Sequence, residues 1–241
     1  MSARCTSSRL PNKALMKIKD DLSSIDIVIE RAKLIGLPVI LTTSTDKSDD
    51  ELIEIAKNHK IEFFRGALEN KLKRWYDCFN KFDIDFAIEI DGDDLCYSYD
   101  LGKQAVDEIK LKNTELLTTP PNAMVGLFTY ALTKNAITKL YRVAKNEQTN
   151  TDVITKFIEK ANLKVNYIST KEYESNEQMR LTLDYEEDLQ FFRELYVRMD
   201  VSTNTKEIID YLRIHPELCR INYHRHQDYL RNQAKFNAKI H

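Results

Sequence analysis

Residues 3–13 read A-R-C-T-S-S-R-L-P-N-K, and this stretch decides how the rest of the chain is interpreted. It carries three fixed cations, Arg4, Arg9 and Lys13, separated mainly by small and hydroxyl-bearing side chains. Such a loop offers backbone N–H groups, hydroxyls and positive charge to one small volume, as a polyphosphate requires. A disordered basic N-terminus would have the same composition. The stretch therefore indicates either a phosphate-binding loop or a solvated tail.

Bulk composition excludes several classes of protein. With 241 residues, of which 42% are hydrophobic and 31% charged, the chain resembles an ordinary globular protein with one large core. A net charge of −2 argues against a general nucleic-acid binder. No apolar run is long enough to span a membrane, we expect no signal peptide, and the scattered cysteines indicate reduced thiols. The sequence thus predicts a cytoplasmic protein that binds neither nucleic acid nor a membrane.

Strand and helix patterns alternate along most of the chain. Capping boxes at Ser23–Asp26 and Ser48–Glu51 predict the starts of two helices. This alternation indicates an α/β fold in which helices flank a mainly parallel, twisted sheet, with ligands bound beyond the carboxyl ends of the strands. The predicted strands cover 38–42, 62–65, 86–90, 114–119, 126–131 and 164–169, and further helices cover 99–110, 151–161, 205–214 and 216–222.

The turn D-G-D-D at residues 91–94 directly follows a predicted strand. Its carboxylates repel one another unless a cation lies between them. A hard ion such as Mg²⁺ is satisfied by a few carboxylates together with phosphate oxygens. A solvated turn is the alternative, because Asp and Gly are favoured in turns in any case.

The order of three stretches resembles the CTP-dependent cytidylyltransferases that activate acidic sugars. These stretches are residues 3–13, Gly92-Asp93 and residues 180–189, R-L-T-L-D-Y-E-E-D-L. The chain is most similar to the spore-coat-polysaccharide-type branch, related to the 3-deoxy-manno-octulosonate and N-acylneuraminate enzymes. The resemblance implies a GT-A-like, Rossmann-like fold of the nucleotide-diphospho-sugar transferase type. It also implies a nucleotidyltransferase domain over 1–200 and a C-terminal helical extension over 201–241.

The resemblance further implies a Mg²⁺-dependent transfer of CMP from CTP to a hydroxyl of an acidic sugar, with release of pyrophosphate, for surface polysaccharide synthesis. Arg4 and Lys13 would be catalytic and hold the triphosphate, and Asp93 and Asp184 would hold the metal. The nucleotide-binding residues it implies are Ala3, Arg4, Ser7, Ser8, Arg9, Lys13, Arg65 and Arg74.

Some of these roles have structural alternatives. Asp184 followed three residues later by Glu187 is also a helix-capping pattern. Arg65 and Arg74 could equally form surface salt bridges.

The chain departs from the family pattern in several places. Relatives have an apolar strand ahead of the loop, whereas only two residues precede Ala3, so either the first strand is unusually short or the chain has further residues upstream. Tyr130 and residues 150–152 replace charged residues of the acceptor region, which predicts an acceptor different from the commonest ones. The basic segment 227–241 is predicted to fray or to cover the second subunit of a homodimer.

Two other functions fit parts of the sequence. A glycosyltransferase with a nucleotide-sugar donor would use a D-x-D motif, which residues 91–93 match. The cation-rich loop argues against it, because a diphosphate donor needs fewer cations than a triphosphate. A non-catalytic nucleotide-binding homologue would explain the departures in the acceptor region.

Overall fold

Strands and helices alternate in the computed structural model, which describes residues 1–7, 9–111, 114–175 and 178–237. Ser8, a predicted nucleotide-binding residue, lies outside this part of the chain. The strands are β1 (Lys17–Lys19), β2 (Leu22–Ser23), β3 (Ile40–Ser44), β4 (Glu62–Gly66), β5 (Phe86–Glu89), β6 (Leu116–Thr118), β7 (Tyr130–Thr133) and β8 (Val165–Tyr167). The α-helices are α1 (Ser24–Lys33), α2 (Asp50–Asn58), α3 (Lys71–Lys81), α4 (Tyr99–Leu111), α5 (Lys134–Val143), α6 (Thr155–Lys160), α7 (Glu186–Tyr196), α8 (Thr205–Ile214), α9 (Pro216–Asn222) and α10 (His226–Asn237).

The central sheet is mixed, with one reversed strand. β3 and β4 pair in parallel, as do β6 and β8, whereas β7 runs antiparallel to both β5 and β6 in the order β5-β7-β6-β8. The predicted α/β architecture, a sheet flanked by helices, is confirmed. The reversal at β7 arises because the chain returns to the sheet between β6 and β5 without a crossover helix.

Residues 1–3 connect the two parts of the sheet. Ser2 forms parallel bridges to Thr42 in β3 and to Asp91 just after β5. The Ser2 backbone N–H donates to the carbonyl of Ile90 at 2.9 Å, and its carbonyl accepts from the N–H of Gly92 at 2.8 Å. The stretch before the basic loop therefore occupies a central strand position, and the loop leaves the sheet at its carboxyl edge.

The helix starts show where local patterns suffice. Ser23 and Asp26 form the predicted capping box of α1, with the backbone N–H of Ser23 2.7 Å from an Asp26 carboxylate oxygen. The second predicted capping box, at Ser48–Glu51, is wrong, because Asp46 accepts the N–H of Ser48 at 2.8 Å and opens a short 3₁₀ turn that precedes α2. Local spacing fits both arrangements, and only the longer-range packing selects one.

Two further boundaries differ from the predictions. The predicted strand 126–131 begins only at Tyr130, because Gly126 has a left-handed φ of 94° and a side chain there would clash with the backbone of Leu181. The predicted helix 151–161 begins at Thr155, since Thr151 instead accepts the N–H of Leu72 at 3.2 Å and packs on the start of α3. Both corrections concern segments beside the cleft described below.

The main hydrophobic core extends into the C-terminal segment. Ile208, Ile209 and Leu212 of α8 are fully buried in the same cluster as Phe192 and Leu195 of α7. The division into domains at residue 200 stays a prediction. Within the described residues, we find no helix with the length and apolarity that a membrane span requires.

Candidate active site

A cleft of about 960 Å³ opens at the carboxyl edge of the sheet. The basic loop, the turn after β5 and the segment before α7 all contribute side chains to it. These are the three stretches that the sequence singled out. The basic loop follows the strand-like segment 1–3 and the D-G-D-D turn follows β5, so both leave the sheet at the same edge. The segment before α7 joins them through the N–H of Leu183, which donates to the carbonyl of Asp93 at 2.9 Å.

Lys13 lies between the two predicted metal-binding aspartates. Its Nζ is 2.5 Å from Oδ2 of Asp93 and 2.9 Å from Oδ1 of Asp184, and it also donates to the carbonyl of Leu183 at 2.8 Å. Burial alone would lower the pKa of Lys13, but the two carboxylates outweigh it and raise the pKa above its usual value. The ammonium is therefore charged and holds two distant parts of the sequence together.

Three cations surround the carboxylate of Asp184. Arg9 donates to one oxygen together with Lys13, and Arg180 donates to the other at 2.9 Å. Burial would raise the pKa of Asp184, yet the neighbouring cations hold it well below its ordinary range. By contrast, the pKa of Asp93 is raised by burial, and the nearby carboxylate of Asp184 contributes to this rise.

The structural alternative for Asp184, a helix cap, is not what the structure shows. Asp188 caps α7 instead, accepting the backbone N–H groups of Asp184 at 2.8 Å and Tyr185 at 3.0 Å. Arg180, which is fully buried, holds Asp188 in place through its Nε at 2.9 Å. The Asp184 side chain is therefore free to face the cleft.

A second group of cations lies toward α3. Arg4 donates to the carbonyl of Leu68 at 2.7 Å and to the carboxylate of Asp152 at 2.6 Å. Arg74 is almost fully buried and donates to the carbonyl of Ala67 at 2.6 Å, while its Nε has no partner. Burial and, to a smaller extent, the charge of Arg4 together lower the pKa of Arg74 to about 10. This positive charge is poorly neutralised and faces the cleft.

Sequence reasoning missed a buried ion pair in the cleft. Lys71 Nζ lies 3.3 Å from the carboxylate of Asp91 and 5.1 Å from the ring centre of Trp75. Lys71 is only 8% exposed, although it stands at the first position of α3. A lysine at the start of a helix is usually solvated, so no local pattern distinguished this one.

The structure does not bring Arg65 to the cleft. Its guanidinium donates to Asp50 at 2.7 Å and to the carbonyl of Ser44 at 2.8 Å, on the outer side of β4. This is the surface alternative considered for it. Ala3 and Ser7 line the cleft, as do Arg4, Arg9, Lys13 and Arg74.

The C-terminal segment also reaches the cleft. Tyr229, Asn232 and Gln233 of α10 line it, whereas the sequence predicts that segment 227–241 either frays or covers a second subunit. The face of α10 that lines the cleft is polar, so no periodic pattern of aliphatic residues in the sequence indicates that this face packs there.

A sequence model of the family described as Cytidylyltransferase matches residues 1–214. The chain belongs to the cytidylyltransferase family. Family membership identifies it as a nucleotidyltransferase. The chain of this cytidylyltransferase is 30% identical over 226 residues to an uncharacterised protein of Methanocaldococcus jannaschii, with 92% of each sequence covered.

Solved structures support the same fold. A cytidylyltransferase from Leptospira borgpetersenii serovar Hardjo-bovis matches with a TM-score of 0.80 at 20% identity, over 90% of this chain and 94% of that one. A CMP:2-keto-3-deoxy-manno-octonic acid synthetase solved with CTP matches with a TM-score of 0.57 at 14% identity, over 82% and 96%. The cytidylyltransferase described here therefore has the nucleotide-diphospho-sugar transferase fold.

Proposed function

We propose that this cytidylyltransferase transfers CMP from CTP to a hydroxyl of an acidic sugar and releases pyrophosphate. The observation that carries the proposal is the convergence of Asp93 and Asp184 on Nζ of Lys13, at 2.5 and 2.9 Å, beside Arg9. The resemblance to the spore-coat-polysaccharide-type branch supports a role in surface polysaccharide synthesis.

The basic loop would bind the triphosphate. Arg4, Arg9 and Lys13 all reach the cleft, and each now binds a carboxylate that a phosphate could replace. Charge-assisted hydrogen bonds of this kind are about twice as strong as neutral ones. Phosphoryl and nucleotidyl transfers depend mostly on positioning and on neutralising charge, which is what fixed cations on one loop provide.

The residues present fit a Mg²⁺ ion. Asp93 and Asp184 already share one cation, Lys13, at 2.5 and 2.9 Å, and both are carboxylates, the ligand type that Mg²⁺ prefers. The described residues contain no group of three or more His, Cys, Asp or Glu side chains placed to hold a metal without other ligands. Two carboxylates would therefore share the ion with phosphate oxygens and water. When bound, the ion would supply charge neutralisation at the phosphates and activate the attacking oxygen.

In the proposed reaction, the acceptor hydroxyl oxygen attacks the α-phosphorus and gives up its proton to water. A new P–O bond forms to the acceptor, the bond between the α-phosphorus and the bridging oxygen of the β-phosphate breaks, and pyrophosphate leaves with that electron pair. Arg9 and Lys13 would stabilise the charge that develops on the leaving pyrophosphate. Arg74, buried and without an acidic partner among the described residues, would complement an anionic substrate group.

We also propose a cytoplasmic location. The four cysteines, Cys5, Cys78, Cys96 and Cys219, are buried and form no disulfide, which is typical of a reducing compartment. A homodimer stays a prediction.

The glycosyltransferase alternative fits the site less well. Asp91 and Asp93 would both belong to its D-x-D motif, yet Asp91 pairs with Lys71 and Asp93 pairs with Lys13. Each carboxylate therefore forms an ion pair with a different lysine. The pyrophosphate-release assay described next distinguishes a non-catalytic nucleotide-binding homologue from the proposed enzyme.

The test is a pyrophosphate-release assay with Mg²⁺, each of the common nucleoside triphosphates and a panel of acidic sugars that includes 3-deoxy-manno-octulosonate. We expect release that depends on CTP, on one acidic sugar and on Mg²⁺, and that is lost in Asp93→Ala. CTP binding without turnover on any sugar would leave the non-catalytic homologue. Hydrolysis of a nucleotide sugar in place of pyrophosphate release would favour the glycosyltransferase.

A further inference from the structure

One face of α10 lines the cleft at its aspartate end. Tyr229, Asn232 and Gln233 stand at positions i, i+3 and i+4, which place three side chains on the same side of a helix. The family match ends at residue 214, so this helix lies beyond the matched part of the chain.

The helix is tied to the segment that positions Asp184. The ring of Tyr229 lies 5.0 Å from the guanidinium of Arg180, and the Asn232 amide donates to the hydroxyl of Tyr185 at 3.0 Å. At the preceding turn, Arg225 donates to Glu187 at 2.8 Å. Because these contacts involve residues next to Asp184, the helix is held at a fixed distance from the reacting end of the cleft.

The groups on this wall are uncharged. Burial raises the pKa of Tyr229, and Asp94 and Asp184 raise it further, so the phenol keeps its proton and can donate a hydrogen bond. The amides of Asn232 and Gln233 each donate and accept. Sugar hydroxyls need both kinds of partner, whereas phosphates need donors and positive charge, which the basic loop already supplies.

We propose that α10 forms one wall of the acceptor subsite, where Tyr229 and Gln233 hydrogen-bond to hydroxyl groups of the acceptor. This inference rests on the proposed function. It assigns part of the acceptor specificity to residues of α10. Asn232 acts as a positioning residue, because its amide fixes Tyr185 and so keeps the helix against the cleft.

The experiment compares two glutamines of one helix. Gln233 lines the cleft, whereas Gln227 is exposed on the same helix and does not line it. The acceptor is the acidic sugar that gives the fastest pyrophosphate release with the wild type. In Gln233→Ala we expect KM for that sugar to rise about tenfold, the effect of one lost hydrogen bond to a substrate group, with KM for CTP unchanged. Gln227→Ala should match the wild type in both constants.

Tyr229→Phe provides a second variant that keeps the packing. It retains the ring on Arg180 and removes only the hydroxyl, so its melting temperature should stay close to that of the wild type. Wild-type acceptor KM in both Gln233→Ala and Tyr229→Phe would overturn the inference, as would a rise confined to KM for CTP. If the wild type releases no pyrophosphate with any sugar, the proposed function fails and the inference fails with it, and that failure appears in the wild type rather than in the variants.

Discussion

Replacing Asp184 with asparagine removes the charge on which three cations converge and keeps the size of the side chain. Arg9 would lose its carboxylate partner, while Lys13 would keep Asp93 and Arg180 would keep Asp188. Breaking a buried ion pair costs about 3–5 kcal/mol, and the remaining partners place this case near the lower end, at about 3 kcal/mol. For a chain of this size, that corresponds to a fall in melting temperature of roughly 6–12 °C.

Thermal unfolding followed by circular dichroism measures this change. The matched control is Asp200→Asn, which loses an exposed pair with Lys19 at 3.4 Å, and we expect it to cost less than about 1 kcal/mol. Equal melting temperatures for Asp184→Asn and the wild type would refute the argument that the three cations depend on this carboxylate. A large fall in the melting temperature of Asp200→Asn would show that thermal unfolding does not distinguish buried from exposed ion pairs.

The same variant has a predictable pH dependence. Burial opposes ionisation of Asp184, but Lys13 and Arg9 hold its folded-state pKa below the ordinary value of 3.8. A carboxyl whose pKa is depressed by folding stabilises the protein above its unfolded pKa, and it loses that contribution as the pH falls toward the folded pKa. The difference in melting temperature between the wild type and Asp184→Asn should therefore be full near neutral pH and shrink below pH 3.8. A constant difference through acid pH would contradict the assignment.

Three further predictions concern the loop and its surroundings. Lys13→Ala should weaken binding of Mg²⁺·CTP by about 10- to 100-fold in calorimetry, because a charge-assisted hydrogen bond is lost; unchanged affinity would exclude Lys13 from the triphosphate site. Gly92→Ala should lower stability by about 1–3 kcal/mol in denaturant unfolding, because the added Cβ would lie 2.8 Å from the Cβ of Ala3; a wild-type midpoint would show that the turn can relax. Arg65→Ala should leave KM for CTP unchanged, since this side chain pairs with Asp50 outside the cleft; a several-fold rise would return Arg65 to the nucleotide site.

Several parts of the fold could be predicted from local sequence because local chemistry determines them. The capping box at Ser23 and the helices Thr205–Ile214 and Pro216–Asn222 follow from nearby residues alone. The meeting of the basic loop with Asp93 follows from the rule that strand ends share one edge of a sheet. Asp184 stands just before α7 rather than at a strand end, and the N–H of Leu183, which donates to the carbonyl of Asp93 at 2.9 Å, places it there.

Other parts depend on contacts that sequence spacing does not specify. The spacing from Asp184 to Glu187 and from Tyr185 to Asp188 is the same, and only the buried Arg180 selects Asp188 as the cap. The burial of Lys71, at the start of α3, depends on its ion pair with Asp91, which lies just after β5. Pairing between distant residues of this kind is fixed by tertiary packing, so a single sequence read locally does not reveal it.

The ion pairs around Lys13 leave the cluster electrically neutral before any ligand arrives. Three positive and three negative side chains belong to it, namely Arg9, Lys13 and Arg180 with Asp93, Asp184 and Asp188. A triphosphate that entered alone would bring several uncompensated negative charges into this balanced set. Nucleotide affinity should therefore rise with the concentration of a divalent counter-ion, and by thermodynamic reciprocity the nucleotide should strengthen ion binding by the same factor.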